Sequence, residues 1–189
     1  MITLILALFC LCFSLPLWML AVIIIKKADM GNIFFRQARV GIHGSEFRII
    51  KFRTMQQTEE GTGFVSAAGD HRLIAGGAFM RKYKIDELPQ LLNVIRGSMA
   101  LVGPRPTVRE DIDMMTETQL RRLQVLPGLT GLAQISGNTS LLWDERIKYD
   151  LEYVNAKSFL VDLSIIVRTA CAIVTGKADT HPKGKSEWS

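Results

Sequence analysis

The chain opens with a long apolar run, Ile2–Ile25, that contains 24 residues and no charge and is followed directly by Lys26 and Lys27. As a straight helix it would extend roughly 36 Å at about 1.5 Å per residue, which is enough to cross the hydrocarbon core of a bilayer. Pro16 lies near its middle and removes one helix hydrogen bond. In lipid the freed carbonyl needs another donor, and Ser14 is close enough to supply one. The run predicts either a kinked single-pass helix or two helical halves that enter and leave one leaflet.

Two short β-type runs follow the apolar segment. They cover Ile33–Arg39 and Glu46–Phe52, and Gly41 and Gly44 lie between them. This pattern predicts a β-hairpin. Residues 57–71 are polar and contain glycine, which predicts a mobile loop.

Helical spacing of apolar residues marks the rest of the chain. It predicts helices over Arg72–Lys82 (weak, because Gly76 and Gly77 interrupt it), Asp86–Arg96, Val108–Val125, Leu142–Val154 and Phe159–Thr175. Asp86 fits the N-cap of the second helix and Ser158 that of the last. The last helix has a broad, nearly uncharged stripe, so it either belongs to the core or lies in the membrane interface.

Composition then narrows the class of protein. All 23 basic and 18 acidic residues lie outside the first apolar run, and they make up about 25% of the remaining positions, as in soluble globular domains. The three cysteines lie in apolar runs without metal-ligand spacing. These observations exclude a disordered protein, a disulfide scaffold and a polytopic channel, and they leave one globular domain with an apolar N-terminal segment.

The stretch that carries most chemical information runs from Arg81 to Pro106. Adjacent carboxylates at Asp86 and Glu87 are predicted to open a helix, and a helix N-terminus attracts phosphate. Further along, two prolines flank Arg105 and fix its backbone, which suits bidentate phosphate binding. From the residues alone two interpretations stay open: ordinary helix capping beside a solvated basic face, or a phosphate-handling site in which one carboxylate attacks phosphorus and the other holds a divalent cation.

A series of short motifs runs in order through almost the whole chain. The motifs are the Pro-broken apolar segment, Phe35-Arg36-Gln37 with Arg39 and Gly41, Lys51-Phe52-Arg53-Thr54-Met55, Asp86-Glu87-Leu88-Pro89-Gln90-Leu91 with Asn93 and Gly97, Gly103-Pro104-Arg105-Pro106, Pro127-Gly128-Leu129-Thr130-Gly131 with Gln134 and Gly137, and Tyr149-Asp150 with Asp162. Each motif alone is weak, but their order and spacing together are specific. In this series the chain resembles the bacterial monotopic polyprenyl-phosphate phosphoglycosyl transferases.

The resemblance implies transfer of a sugar phosphate from a UDP-sugar to undecaprenyl phosphate, with release of UMP, as the first membrane step of surface polysaccharide or glycoconjugate synthesis. It implies that Asp86 is the nucleophile, through a covalent phosphoryl-aspartate, and that Glu87 is a Mg²⁺ ligand. An anionic nucleophile needs the roughly two negative charges of the donor's diphosphate masked, which Mg²⁺ and arginine can do. Phosphate or substrate contacts are expected from five further residues: Lys51, Arg53, Arg81, Arg105 and Gln134. Lys51 and Arg53 also fit strand-end charges in solvent.

The resemblance also implies an architecture. We expect an α+β fold in which a re-entrant, membrane-embedded N-terminal helix joins a mainly helical cytoplasmic domain that has a small β-hairpin and an interfacial amphipathic helix. The predicted division is 1–27 for the membrane-associated segment, 28–176 for the catalytic domain and 177–189 for a polar flexible tail. The expected location is the inner (cytoplasmic) membrane, with the catalytic domain on its cytoplasmic face, as the lysines after the apolar run also indicate.

Expected partners are a UDP-sugar, undecaprenyl phosphate, membrane lipids and later glycosyltransferases. Nucleic acid is not expected, because the basic residues are scattered and lack interleaved aromatics. Two other functions stay open: a non-catalytic membrane adapter of the same fold, and a UDP-sugar hydrolase in which water replaces the lipid.

Overall fold

The computed structural model describes residues 2–28, 30–56 and 72–176, so the predicted 57–71 loop and 177–189 tail lie outside the described residues. In chain order the elements are α1 (Ile2–Ala28), β1 (Phe34–Val40), β2 (Glu46–Phe52), α2 (Gly77–Lys82), α3 (Gln90–Ile95), β3 (Ala100–Val102), α4 (Arg109–Asp113), α5 (Glu117–Leu120), β4 (Gly128–Thr130), α6 (Leu132–Ser136), α7 (Trp143–Ala156) and α8 (Phe159–Val174). Short 3₁₀ turns lie at Ile42–Gly44, Ile85–Glu87, Arg121–Gln124 and Asn138–Ser140. This mixture of helix and strand confirms the α+β class.

Helix α1 continues without interruption through Pro16. The hydroxyl of Ser14 donates a hydrogen bond to the Leu11 carbonyl at 2.9 Å. Proline at position 16 frees the carbonyl four residues earlier, that of Cys12. Ser14 therefore does not take over the missing bond, and that expectation was wrong.

One narrow stripe of α1 is buried against the rest of the protein. Ala7, Ser14, Ala21 and Ile25 are spaced by seven, seven and four residues, which places them on one helix face, and all four are buried. At one end of the stripe, Ala7 packs with Ile49, Val94 and Met99. At the other end, Ala21 and Ile25 pack with Phe52, Ile74, Met80 and Ile85. The helix thus contacts the domain over about 27 Å of its length.

The predicted β-hairpin is confirmed, with each strand bounded within one residue of the expectation. Strands β1 and β2 pair antiparallel, with Phe35 opposite Lys51 and Arg39 opposite Phe47. Helix α3 is fastened to this hairpin by Asn93. Its amide oxygen accepts a hydrogen bond from the Ile50 N–H at 3.1 Å, and its amide nitrogen donates to the Arg48 carbonyl at 2.8 Å.

A second, parallel pair of short strands holds the loop that carries Arg105. Strand β3 pairs with β4, and Val102 lies opposite Thr130. At the end of this pair the backbone of Gly103 packs directly on Gly128, so that a Cβ on either glycine would collide with main-chain atoms of the other segment. The two glycine motifs therefore meet backbone to backbone, which fixes where the chain leaves β3.

Three predicted helices are shorter than expected. The helix predicted over Arg72–Lys82 begins only at Gly77, after Gly76 in a left-handed conformation (φ 83°). Instead of one helix over Val108–Val125, the chain forms α4, α5 and a 3₁₀ turn. The break follows from Thr116, which caps α5 in a reciprocal box with Gln119 and thereby starts a new helix. Asp86 is not the N-cap of α3, because it lies in the separate turn Ile85–Glu87 and α3 begins only at Gln90.

The last two predicted helices are confirmed as α7 and α8, and Ser158 caps α8 by accepting a hydrogen bond from the Val161 N–H at 3.4 Å. Helix α8 buries Ile165 in a cluster with Val102 and Tyr153. Its outer side exposes five large apolar residues: Phe159, Leu160, Leu163, Val167 and Val174. One side of the helix is thus core and the other is an uncovered apolar surface.

Candidate active site

The two adjacent carboxylates lie in a tight turn that is anchored in the core. Lys84 adopts a left-handed conformation (φ 55°) and starts the 3₁₀ turn, and Ile85 packs in the cluster beneath α1. The next two side chains, Asp86 and Glu87, are only 7% and 6% exposed. Ionisable groups are rarely buried to this extent unless they are paired or functional.

Glu87 is held by two cations. Its Oε1 accepts hydrogen bonds from Lys51 Nζ at 3.1 Å and from Arg105 Nη2 at 2.8 Å. Burial disfavours the ionised form, but the positive charges of Arg105, Lys51 and Lys84 outweigh that effect and hold the pKa of Glu87 well below its usual value. Glu87 is therefore a permanent anion at neutral pH.

Asp86 is held quite differently. Its buried Oδ1 has no hydrogen-bond partner among the residues that the structure describes. Burial and the adjacent charge of Glu87 raise the pKa of Asp86 to about 6, against the opposing charges of Lys51, Lys84 and Arg81. Two neighbouring carboxyl groups whose pKa values are driven apart are a common arrangement in active sites. At pH 7 Asp86 is mostly ionised, and its Oδ1 is a buried acceptor that no described residue satisfies.

The backbone around Arg105 is fixed by a second, buried ion pair. Arg122 donates from Nη2 to the Arg105 carbonyl at 2.8 Å, from Nη1 to Thr107 Oγ1 at 3.3 Å, and from Nε and Nη2 to Asp150 Oδ2 at 3.0 and 2.6 Å. The Arg105 side chain, 42% exposed, extends from this fixed backbone to Glu87. The guanidinium is consequently positioned by its main chain while it stays accessible.

Of the other predicted contact residues, Lys51 is in the site and Arg81 is near it. Arg81 donates from Nε to Thr54 Oγ1 at 2.9 Å, and its charge is among those that act on Asp86. Arg53 has a different surrounding, because its Nε donates to the Asn32 carbonyl at 2.6 Å, in the segment between α1 and β1.

Gln134 lies on α6, and its amide nitrogen donates to the Leu129 carbonyl at 3.1 Å. Its amide oxygen is buried and has no hydrogen-bond partner among the described residues. The structure thus brings together Asp86, Glu87, Lys51 and Arg105, with Arg81 nearby. It shows no contact of Arg53 or Gln134 with the two carboxylates within its described residues.

Two basic residues near the site were missed from the sequence. The charge of Lys84 acts on both carboxylates. Burial and the charge of Arg105 lower the pKa of Arg39 to about 10, which places Arg39 in the same electrostatic neighbourhood. The available signal for Arg39 was strand alternation, because in a hairpin it shares a face with the residue opposite Lys51.

The carboxylate pair fits a magnesium ion that arrives with a phosphate-bearing substrate. Among the described residues no group of three or more His, Cys, Asp or Glu side chains could hold a metal by itself. Mg²⁺, however, is usually bound through one or two carboxylates, with water and substrate phosphates as the other ligands. Asp86 Oδ1 has no described partner, and both cations on Glu87 contact only Oε1. This donor set is suitable for such an ion.

Comparison with known proteins identifies one family and several relatives of this chain. A family model described as bacterial sugar transferase matches residues 1–176. The chain is 37% identical over 171 residues to the uncharacterized sugar transferase EpsL of Bacillus subtilis, covering 90% of this chain and 84% of that protein. It is 36% identical over 174 residues to the exopolysaccharide production protein ExoY of Rhizobium meliloti, covering 84% and 77%.

A third relative has a more specific name. The UDP-glucose:undecaprenyl-phosphate glucose-1-phosphate transferase of Caulobacter vibrioides is 43% identical over 169 residues. The match covers 85% of this chain and 63% of that protein. All three alignments extend over most of this chain.

Proposed function

Because the chain belongs to the bacterial sugar transferase family, we propose that it transfers a sugar phosphate from a UDP-sugar to undecaprenyl phosphate and releases UMP. The names of its relatives support this reaction, including one that acts on UDP-glucose and undecaprenyl phosphate. The observation that carries the proposal is the pair of buried carboxylates, of which Glu87 is held by Lys51 and Arg105 while Asp86 Oδ1 has no described partner.

In the first step, we infer, an Asp86 oxygen attacks the phosphorus that bears the sugar. A new P–O bond forms to Asp86, the bond from that phosphorus to the bridging oxygen breaks, and UMP leaves with the electron pair. Lys51 and Arg105 neutralise the negative charge of the diphosphate, so that the anionic nucleophile can approach and the charge on the leaving group is stabilised. The product of this step is a phosphoryl-aspartate that carries the sugar.

In the second step a phosphate oxygen of undecaprenyl phosphate attacks the same phosphorus. The bond between phosphorus and the Asp86 oxygen breaks, the carboxylate is restored, and the sugar is left on a lipid diphosphate. The covalent intermediate separates the two substrates in time, so the soluble donor and the membrane lipid need not be bound together. Glu87, both of whose cations contact Oε1, is the residue that would hold Mg²⁺, which when bound would supply further neutralisation of phosphate charge.

This reaction calls for a membrane location, and we place the protein at the inner membrane with its active site on the cytoplasmic face. Among the described residues one helix, Thr3–Ala28, is long and apolar enough to cross a membrane. A single-pass helix would leave the domain at one end, whereas α1 packs on it from Ala7 to Ile25. That contact argues against a simple span, but α1 is continuous through Pro16, so two halves that enter and leave one leaflet stay a prediction. The exposed apolar side of α8 offers a second membrane contact.

An assay of detergent-solubilised protein with a panel of UDP-sugars, undecaprenyl phosphate and Mg²⁺ tests the proposal through UMP release. We expect transfer by the wild-type protein and its loss in Asp86→Asn and Glu87→Gln. The surface variant Asp113→Asn, which removes an exposed carboxylate, should keep activity. Full activity in both active-site variants would contradict the proposed mechanism.

A second arm tests the covalent step by leaving out the lipid acceptor. We expect about one UMP per protein molecule and a labelled peptide that contains Asp86. Continuous release of free sugar phosphate at the full rate would identify a hydrolase instead. Binding of UDP-sugar without any UMP release would identify a non-catalytic adapter.

A further inference from the structure

Arg39 lies on the same face of the β-hairpin as the active-site residue Lys51. Residues directly opposite each other in an antiparallel pair share a face, and alternate residues of a strand do as well. The register pairs Phe35 with Lys51 and Arg39 with Phe47, so Phe35, Gln37 and Arg39 line the Lys51 face. Gln37 reinforces this arrangement, since its amide oxygen accepts a hydrogen bond from Arg39 Nη2 at 2.7 Å.

The strand that carries Arg39 is also joined to the loop that carries Arg105. The Val40 N–H donates to the Thr107 carbonyl at 2.9 Å, and the two residues form an isolated antiparallel bridge. Val40 directly follows Arg39, and Thr107 is two residues beyond Arg105. The backbone therefore brings Arg39 close to Arg105, and the charges of Arg105 and Glu87 both act on Arg39.

The guanidinium of Arg39 has an unused buried donor. Its Nε is buried without a hydrogen-bond partner, and within 2–28, 30–56 and 72–176 no carboxylate forms an ion pair with it. The charge of Arg105 acts against Arg39, and Asp111, Glu110 and Glu87 oppose this effect. A buried, unpaired donor beside a like charge is costly, and a bound anion would relieve both costs.

We propose that Arg39, together with Arg105, binds a phosphate of the UDP-sugar diphosphate during the reaction. The inference rests on the proposed function and extends it to a residue outside the Asp-Glu turn. Guanidinium groups bind phosphate oxygens through paired hydrogen bonds, and two of them from different loops would hold the phosphate in one orientation. In this arrangement Lys51 and Arg105 bind both Glu87 and the UDP-sugar, whereas Arg39 binds only the UDP-sugar.

The test compares Arg39→Gln with Arg48→Gln by calorimetric titration of UDP into the full, detergent-solubilised chain with Mg²⁺. Arg48 is exposed and pairs with Ala38, next to Arg39 but on the opposite face of the hairpin. The two variants remove the same charge from neighbouring positions. We expect Arg39→Gln to raise the Kd for UDP by about 10-fold or more, as for loss of hydrogen bonds to a charged group, and Arg48→Gln to change it less than 2-fold.

Arg39→Lys keeps the charge and loses the paired donors, and we expect an intermediate Kd from it. This variant also carries the test if Arg39→Gln does not fold. The inference would be overturned if wild type, Arg39→Lys and Arg39→Gln all bound UDP with the same Kd. It would also be overturned if Arg39→Gln and Arg48→Gln weakened UDP binding equally. So would a wild-type chain that does not bind UDP. A wild-type chain that binds UDP but releases no UMP from any UDP-sugar contradicts the proposed function alone.

Discussion

Asp150 and Glu87 are both nearly inaccessible carboxylates that bind an arginine, but their surroundings differ. At Asp150 both partners are buried, with 4% of each side chain exposed, and Arg122 uses Nε, Nη1 and Nη2 in hydrogen bonds. At Glu87 the partners Lys51 and Arg105 are 20% and 42% exposed. Beside it, Asp86 keeps a buried oxygen that has no described partner.

The Arg122–Asp150 pair, which we call the closed pair, stabilises the fold. The Glu87 site with Lys51 and Arg105, which we call the open pair, can accept a ligand. A closed pair gains little from being charged, yet removing one partner leaves a buried charge and costs about 3–5 kcal/mol. An open pair has accessible cations that can exchange part of their bonding for a substrate phosphate. In this protein the closed pair fixes the backbone of Arg105, and the open pair receives its side chain.

The largest effect should come from Asp86→Asn, which tests whether the site around the open pair is catalytic. We expect transfer to fall by about three orders of magnitude or more, because an amide cannot act as the nucleophile. The free energy of unfolding of Asp86→Asn, in contrast, should increase. Since folding raises the pKa of Asp86 to about 6, ionising this group in the folded protein costs up to about 3 kcal/mol.

The expected gain in stability has a definite pH dependence. The cost is complete above about pH 7, where Asp86 is ionised in both states, and absent below about pH 3, where it is protonated in both. Thermal unfolding in EDTA should therefore show the variant above wild type at pH 7.5, with the difference shrinking as the pH falls through 6 and 4 and vanishing near pH 3. A variant that is less stable at pH 7.5 would contradict this account of the turn.

Asp150→Asn should have the next largest effect, now on stability. It leaves the Arg122 guanidinium buried without a carboxylate, and we expect a loss of about 3–5 kcal/mol in urea or thermal unfolding. The double variant Arg122→Met with Asp150→Asn should recover part of that loss. Glu152→Gln, at an exposed position of α7, is the matched control and should stay within about 0.5 kcal/mol of wild type.

Thr107→Val should have the smallest effect, and it probes the connection between the two regions. It removes the hydrogen bond that Arg122 Nη1 donates at 3.3 Å and changes the side chain little in shape. We expect a loss of about 1 kcal/mol in stability and, because the Arg105 backbone is less constrained, a higher KM for the UDP-sugar. If KM changes while stability does not, the closed pair matters for positioning more than for folding.

The sequence predicted the elements that depend on local pattern. The hairpin and the last two helices follow from alternation and helical spacing, and Ser158 marks the start of α8 as expected. The long helix over Val108–Val125 failed because the capping box at Thr116 competes with it. That signal, Thr-Glu-Thr-Gln, is present in the sequence and outweighs the apolar spacing.

The candidate site could be predicted only in part. The Asp-Glu pair is a local motif, but its surroundings are not. Lys51 and Arg105 were expected as phosphate contacts, but their contact with Glu87, 36 and 18 positions away, depends on the hairpin and on the parallel β3–β4 pair, which no local pattern predicts. The role of Asn93 was also hidden, because its amide binds the backbone of β2, 43 and 45 positions away in the sequence.

The long contact between α1 and the domain bears on any attempt to prepare a water-soluble form of this protein. Deleting the first 28 residues would uncover Ile49, Val94 and Phe52, which now pack against that helix. The truncated chain would expose an apolar groove that promotes aggregation. The turn that carries Asp86 and Glu87 would also lose the packing of Ile25 in the cluster that contains Ile85. Substituting the exposed leucines and phenylalanines of α1, while keeping the buried stripe from Ala7 to Ile25, is the better route to a soluble enzyme.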